Sequence, residues 1–246
     1  MKISIITSVY NNKDTIEDAI KSVLNQTYKN IEYIVIDGAS TDGTIDIVKK
    51  YQDKISKFIS EPDNGIYDGL NKGIKLATGD VIAFLHSDDI YASNDIIEYI
   101  VNNFDDNDAI YGDLVYTSKS DTTKVLRYWK SKNFNKSLLK KGWMPAHPTF
   151  FVKKEIYDKY GCFDTSFRIA ADYDFMLRVL KNNIKVKYLP KILYKMRIGG
   201  ESNKSLTNII NKTKEDLKAL KKNEIGGFHT LIYKNLSKIK QFIKKS

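Results

Sequence analysis

With 246 residues, 42% apolar and 12% aromatic, the chain is long enough to bury a sizeable core and too apolar to read as disordered, and its length suits one elaborated domain or one with a helical appendage. A single cysteine, Cys162, excludes an internal disulfide and a thiolate zinc cluster, and no apolar run of membrane-spanning length occurs; with Met1 leading directly into an apolar strand, the expectation is a cytoplasmic protein. The formal charge of +10 leaves four readings open: nucleic acid, an anionic membrane surface, anionic substrates, or a solvated lysine surface.

Ile3 to Val9 reads as a strand, and Ile16, Ala19, Ile20, Val23 and Leu24 then recur at helical spacing. A second strand covers Ile31 to Ile36, a helix Thr44 to Tyr51, a short strand Ile55 to Ser60 and a helix Ile66 to Ala77. Val81 to Leu85 is a continuous apolar run of the kind buried on both faces of a sheet. This alternation predicts a parallel, doubly wound sheet. A helix is expected from Ser93 to Phe104 and a strand from Ala109 to Asp113. Between Tyr116 and Pro148 the pattern weakens into a loop-rich stretch carrying Trp129 and Trp143, suited to an acceptor. A strand at Phe150 to Val152 and helices at Lys153 to Tyr160 and Asp172 to Lys181 follow, then two helices from Leu206 onward, broken at Gly226-Gly227. The last has Ile232, Leu236, Ile239 and Ile243 on one face and Lys234, Lys238, Lys240, Lys244 and Lys245 on the remainder, a basic amphipathic helix suited to an anionic membrane, the domain or a second subunit.

In such a sheet, ligands gather beyond the carboxyl ends of the strands, and the residues there are polar. Ser87-Asp88-Asp89 places two carboxylates side by side after a buried strand, a repulsion offset by a divalent cation such as Mn²⁺ or Mg²⁺ or by hydrogen bonds in a solvated turn. Asp37 suits a uracil imide or ribose hydroxyls, and equally an Asx-turn. Asp68 stands where a helix begins, near phosphate or ribose, and the helix charge alone also accounts for it. Asp172 is a candidate general base or an N-cap. His147 suits an acceptor, a phosphate, a metal or a structural place; Arg197, beside Gly199 and Gly200, suits a diphosphate clamp or the surface.

Taken in order, these motifs resemble the family 2 glycosyltransferases with a GT-A fold, particularly bacterial members that build capsular polysaccharide and exopolysaccharide. The resemblance covers roughly residues 1 to 200. It implies an α/β, Rossmann-like, mostly parallel sheet flanked by helices: a GT-A domain over 1–203, its nucleotide-sugar half 1–113 and acceptor half 114–203, then a helical extension over 204–246. Ile6-Thr7-Ser8-Val9-Tyr10-Asn11 looks like the segment around the nucleobase, which brings Thr7 and Val9 to the donor site. Asp37 opens the second nucleotide segment; many relatives carry another acidic residue next, where this chain has Gly38. Phe84 to Asp89 looks like the DXD-type motif, implying Asp89 on the metal and Asp88 on ribose or the metal shell. Ala171-Asp172-Tyr173-Asp174 takes the place of the acidic pair that holds the base, with Ala171 replacing the usual glutamate. Met196 to Ser202, with Arg197, resembles a segment that closes over the donor phosphates. The implied activity is inverting transfer from a nucleotide sugar, UDP favoured, to a glycan or polyprenyl-linked acceptor, with His147 and Trp143 on the acceptor side. A homodimer and association with the inner face of the cell membrane are further expectations. Acidic strand ends oppose a nucleic-acid-binding reading, and a base at Asp172 separates transfer from simple diphosphate hydrolysis.

Overall fold

The structure, a computed structural model, describes residues 1–199 and 206–243. Strands β1 (Ile3–Val9), β2 (Ile31–Asp37), β3 (Lys57–Ser60) and β4 (Val81–Phe84) alternate with helices α1 (Ile16–Leu24), α2 (Thr44–Lys49) and α3 (Ile66–Leu76). After them come β5 (Ile90–Tyr91), α4 (Ile96–Asn103), β6 (Ala109–Thr117), β7 (Val125–Trp129), β8 (Phe151–Lys153), α5 (Lys154–Tyr160), α6 (Ala171–Leu180), β9 (Val186–Arg197), α7 (Leu206–Lys222) and α8 (Phe228–Ile243). One sheet joins the strands in the order β3-β2-β1-β4-β8-β6-β9-β5, with β7 on β6. β1 to β4, β6 and β9 run one way, while β8, β7 and β5 run against them. Every residue of β1 and β4 is buried, which is why these strands read as continuous apolar runs.

The expected doubly wound half is present, with strand bounds within two residues of the periodic pattern. The weak stretch after Tyr116 is more regular than expected: β6 runs on to Thr117, and β7 pairs with it antiparallel. β9, the longest strand, carries no strand signal because Pro190 interrupts it. The proline stands where the β6–β9 register slips, between Tyr111↔Tyr188 and Asp113↔Ile192. Gly112 lies opposite, and a Cβ there would stand 2.6 Å from Leu193 Cδ1 and 2.9 Å from the Lys191 carbonyl.

Two apolar layers flank the sheet. Ile3, Ile20, Val48 and Ile97 belong to one, under α1, α2 and α4. Ile6, Leu70, Phe150, Phe175, Leu220 and Leu231 belong to the other, which α3, α5, α6 and the C-terminal helices share. Ala219 and Leu220 of α7 and Leu231 of α8 are therefore part of the main core. Glycines let α3 press onto β1: a Cβ at Gly69 would be 2.4 Å from Ser8 Oγ, and one at Gly73 2.4 Å from Ile6 Cγ2.

The basic-helix expectation needs correction at Lys234. Its side chain is buried, 2.7 Å from Asp216 and 3.2 Å from the centre of the Tyr173 ring. Burial lowers its ammonium to about 8, and the Asp216 charge opposes that fall. α8 faces the body through Thr230, Leu231 and Lys234 and turns Phe228, Ile232 and Leu236 outward. Lys244 and Lys245 lie outside the described residues.

At the opposite end of the sheet from the cleft, Glu32 ties three chain segments together. Its carboxylate accepts from Ser4 Oγ (2.6 Å), the Thr78 amide (2.7 Å), Thr78 Oγ1 (2.7 Å) and Lys2 Nζ (3.3 Å). Burial pushes this carboxyl up, but the donors outweigh burial and hold it at about 2. A depressed folded-state value stabilises the protein above the unfolded pKa of 4.5 and loses that contribution as pH falls toward 2. Urea titrations over that window should show Glu32 contributing up to about 3 kcal/mol of acid sensitivity. Glu32→Gln should flatten that limb.

Candidate active site

The paired register sets the ends of the first three strands level, Val9 beside Asp37 and Asp37 beside Ser60. Asp37 is fully buried; its Oδ2 accepts from the Ser40 amide (3.0 Å) and Ser60 Oγ (2.7 Å), and its Oδ1 is buried with no partner. A buried acceptor kept open at a strand end has capacity for a donor from water or a ligand. Thr7 does not reach the cleft: its hydroxyl is buried, donating to the Leu85 carbonyl at 2.8 Å and meeting Tyr33 Oη at 3.1 Å. Val9 is buried, and its carbonyl accepts from Gly38 at 2.9 Å. Both residues shape the strand end rather than present a side chain to a ligand.

Asp68 lies in the first turn of α3 and accepts from the Asn64 amide at 3.0 Å, so its contacts are those of a helix start. The nearby Asp63 was missed in the sequence, although it sits in the polar run after β3. A Cβ at Gly38 would stand 2.8 Å from Asp63 Oδ2, so Asp63 carries its carboxylate into the space a larger residue at position 38 would need.

After β4 the chain turns through His86-Ser87-Asp88-Asp89. Asn12 Nδ2 donates to Ser87 Oγ (2.9 Å) and Thr15 Oγ1 to the Ser87 carbonyl (3.1 Å). Asp89 is fully buried; Oδ1 accepts from the Arg197 amide at 3.0 Å and Oδ2 has no partner. Burial, reinforced by the charge of Asp88, raises the Asp89 carboxyl well above the usual range, marking a place short of positive charge. Among the described residues no cluster of three His, Cys, Asp or Glu forms that could hold a metal by itself. Asp88 and Asp89 fit a hard divalent ion whose remaining ligands would come from phosphate oxygens and water. Arg197 corrects the expectation of a free diphosphate clamp: its guanidinium is buried and donates to the Asp88 carbonyl (2.6 Å) and Asp18 Oδ2 (2.6 Å). The arginine braces the acidic turn. Gly200, Glu201 and Ser202, expected beside it, lie outside the described residues.

Asp172 is half-buried in the first turn of α6, whose N-cap is Ala170, so it is not the cap. Tyr67 Oη, from α3, stands 3.1 Å from Asp172 Oδ1 and 2.7 Å from the Ile169 carbonyl. Burial first, then the charge of Asp172, raises the Tyr67 phenol well above its ordinary value, so it stays a neutral donor. Asp174 faces away, fully buried against Arg178 (2.8 Å), Asn223 (2.9 Å) and Lys222 (3.2 Å). Of the two acids in this helical turn, only Asp172 is partly exposed.

His147 is buried with an unpartnered Nε2, and its ring centre is 5.9 Å from that of His86, which adjoins the acidic turn. Burial lowers both imidazoles, His147 to about 4, and the charge of Asp172 pulls each back up. The two neutral rings thus stand side by side next to the acidic turn, within reach of the Asp172 charge. Trp143 is half-buried, its ring centre 5.9 Å from that of Tyr111, so it belongs partly to the core. His86 lies within the Phe84 to Asp89 segment and Tyr67 within the expected helix after Ile66, but their contacts are made with distant segments.

An open α/β sheet with unpartnered acidic atoms at its carboxyl edge has the form of a ligand-binding α/β protein. The chain belongs to glycosyl transferase family 2, which residues 4–162 match. It is 31% identical to an uncharacterised glycosyltransferase of Rickettsia typhi over 99% of this chain and 80% of the other. It is 26% identical to a PGL/p-HBAD biosynthesis glycosyltransferase of Mycobacterium bovis, covering 73% of this chain and 70% of that one. Among solved structures, a mannosyltransferase of Pyrobaculum calidifontis in complex with GDP-Man and Mn²⁺ superposes with a TM-score of 0.71 at 18% identity, over 98% of this chain and 72% of the other. S. aureus TarS 1-349 in complex with UDP-GlcNAc gives 0.67 at 18% identity, over 89% and 66%; of the longer TarS chain, the match spans 40%. The fold is thus GT-A.

A buried guanidinium bracing the acidic turn should matter to folding, whereas a solvent-facing clamp would not. Arg197→Ala is expected to lose about 2 kcal/mol of stability in urea denaturation. Unchanged stability would return the side chain to the role of a free clamp.

Proposed function

We propose that the protein moves a sugar from a nucleoside diphosphate, UDP favoured, to a hydroxyl of a glycan or polyprenyl-linked acceptor in surface polysaccharide assembly, inverting the anomeric centre. The observation that carries this reading is the placement of Asp172: half-exposed and oriented by Tyr67, while Asp174 is buried in ion pairs. Asp37 Oδ1 supports the donor half, because the imide N–H of a uracil ring would satisfy it. A guanine offers a comparable N–H, so the two bases are compared directly.

Asp172 takes the acceptor hydroxyl proton as that oxygen bonds to the anomeric carbon. The bond from this carbon to the diphosphate oxygen breaks with its electron pair on the leaving nucleotide, and a single displacement from the opposite face inverts configuration. Asp89, with Asp88 beside it, would hold Mn²⁺ or Mg²⁺, which supplies positive charge to the diphosphate when bound. The neutral His86 and His147 rings offer hydrogen bonds to sugar hydroxyls without adding charge. By calorimetry, UDP or GDP is expected to bind only with Mn²⁺, and Asp89→Ala to abolish that binding. Asp172→Asn should keep it while losing about 10²–10⁴-fold in turnover. Near-normal turnover in Asp172→Asn, or a product of retained configuration by NMR, would overturn the mechanism.

A polyprenyl-linked acceptor is found at a membrane, and α8 offers a surface for one. Phe228, Ile232 and Leu236, four residues apart, are 65%, 41% and 55% exposed. Residues 206–246 hold ten lysines against three acidic residues, and no helix among the described residues is long and apolar enough to cross a membrane. We propose that this face rests on an anionic leaflet. The protein should sediment with phosphatidylglycerol vesicles at low salt, and Ile232→Asp with Leu236→Asp should release it. A wild-type chain that stays in the supernatant, or that buries the face in a dimer, would refute this.

A further inference from the structure

Three consecutive backbone N–H groups lead into α6, and one carboxylate holds all of them. Glu215, from α7, accepts from Arg168 through Oε1 (2.9 Å) and from Ile169 and Ala170 through Oε2 (both 2.8 Å). The segment has no side-chain device of its own for this, since the N-cap is Ala170 and makes no side-chain cap. A carboxylate so close to a helix N-terminus is also favoured by the helix dipole. Ile169 is consequently gripped on both sides, its N–H by Glu215 and its carbonyl by Tyr67, the residue that also touches Asp172.

The C-terminal helices hold the chain after Asp172 as well. Lys234, paired with Asp216, covers the ring of Tyr173, and Lys222 and Asn223 fasten Asp174. The residues on either side of Asp172 are thus tied to the C-terminal helices, and these, like Asp172 itself, lie beyond residue 162, where the match to the family ends. We infer that Glu215 is a positioning residue that sets the location of Asp172 by fixing the 168–170 backbone. This deepens the proposed function and rests on Asp172 being the base. A displacement of about 1 Å at such a group costs on the order of a hundredfold in rate.

The test is a double-mutant cycle read in kcat, the acceptor KM and the Kd of Mn²⁺–UDP. Asp172→Asn is measured first: wild-type turnover there would refute the base assignment itself. With that loss established, Glu215→Ala is expected to lower kcat about ten- to a hundredfold with the nucleotide Kd unchanged. Glu215→Gln should recover most of it, because one amide oxygen can still accept from Ile169 and Ala170. In the Asp172→Asn background, Glu215→Ala should change kcat less than about twofold, because the two residues act through one step. An unchanged kcat in Glu215→Ala, or the same fold-loss in both backgrounds, would overturn the inference. Should the alanine variant fail to fold, the cycle is read with Glu215→Gln, for which a loss of about two- to fivefold that vanishes with Asp172→Asn is expected.

Discussion

Strands that run the same way must all end on one edge, and the cleft depends on this. Each parallel connection returns through a helix, so the edge that receives the strand ends also receives the starts of α1, α2 and α3. Carboxylates placed there meet backbone N–H groups and the positive ends of helices, the conditions under which buried acids are tolerable. The close seat of α3 on β1, which only glycine at positions 69 and 73 permits, brings Tyr67 within reach of Asp172. The site is in this sense a property of sheet direction and helix distance before it is a property of any one side chain.

The many acids of the chain are sorted by what their oxygens touch. Asp113 is spent on Tyr128, Ser131 and Tyr188, and fastens β6 to β7 and β9. Asp174 and Asp216 are spent on cations and Glu215 on backbone amides. Asp37 and Asp89 each keep one buried oxygen without a partner, a cost in the free protein that a ligand would relieve. Sequence position alone does not separate these groups; geometry does.

The nucleotide half of the fold was legible because burial on both faces of a parallel sheet leaves unbroken apolar runs, and amphipathic helices repeat between them. β9 was not, since Pro190 and lysines at every fourth position, Lys187, Lys191 and Lys195, mask a strand whose support comes from β6, almost eighty residues away in sequence. The same limit explains Arg197 and Lys234. A long cation reads as a surface group unless its partner is known, and their partners, Asp18 and the Asp216–Tyr173 pair, are defined only by the tertiary fold. Asp172 was legible as an acid at a helix start, yet taken alone the sequence favoured capping. The structure excludes the cap, a place that Ala170 takes, and nothing local to Glu215 announced its contacts with the 168–170 backbone.

The contact between Gly38 and Asp63 bears on what position 38 can carry. A Cβ at 38 would stand 2.8 Å from Asp63 Oδ2, the far end of a flexible side chain. A larger residue at 38 is therefore admitted when Asp63 swings aside, so a substitution there is felt as a displaced carboxylate on the neighbouring loop.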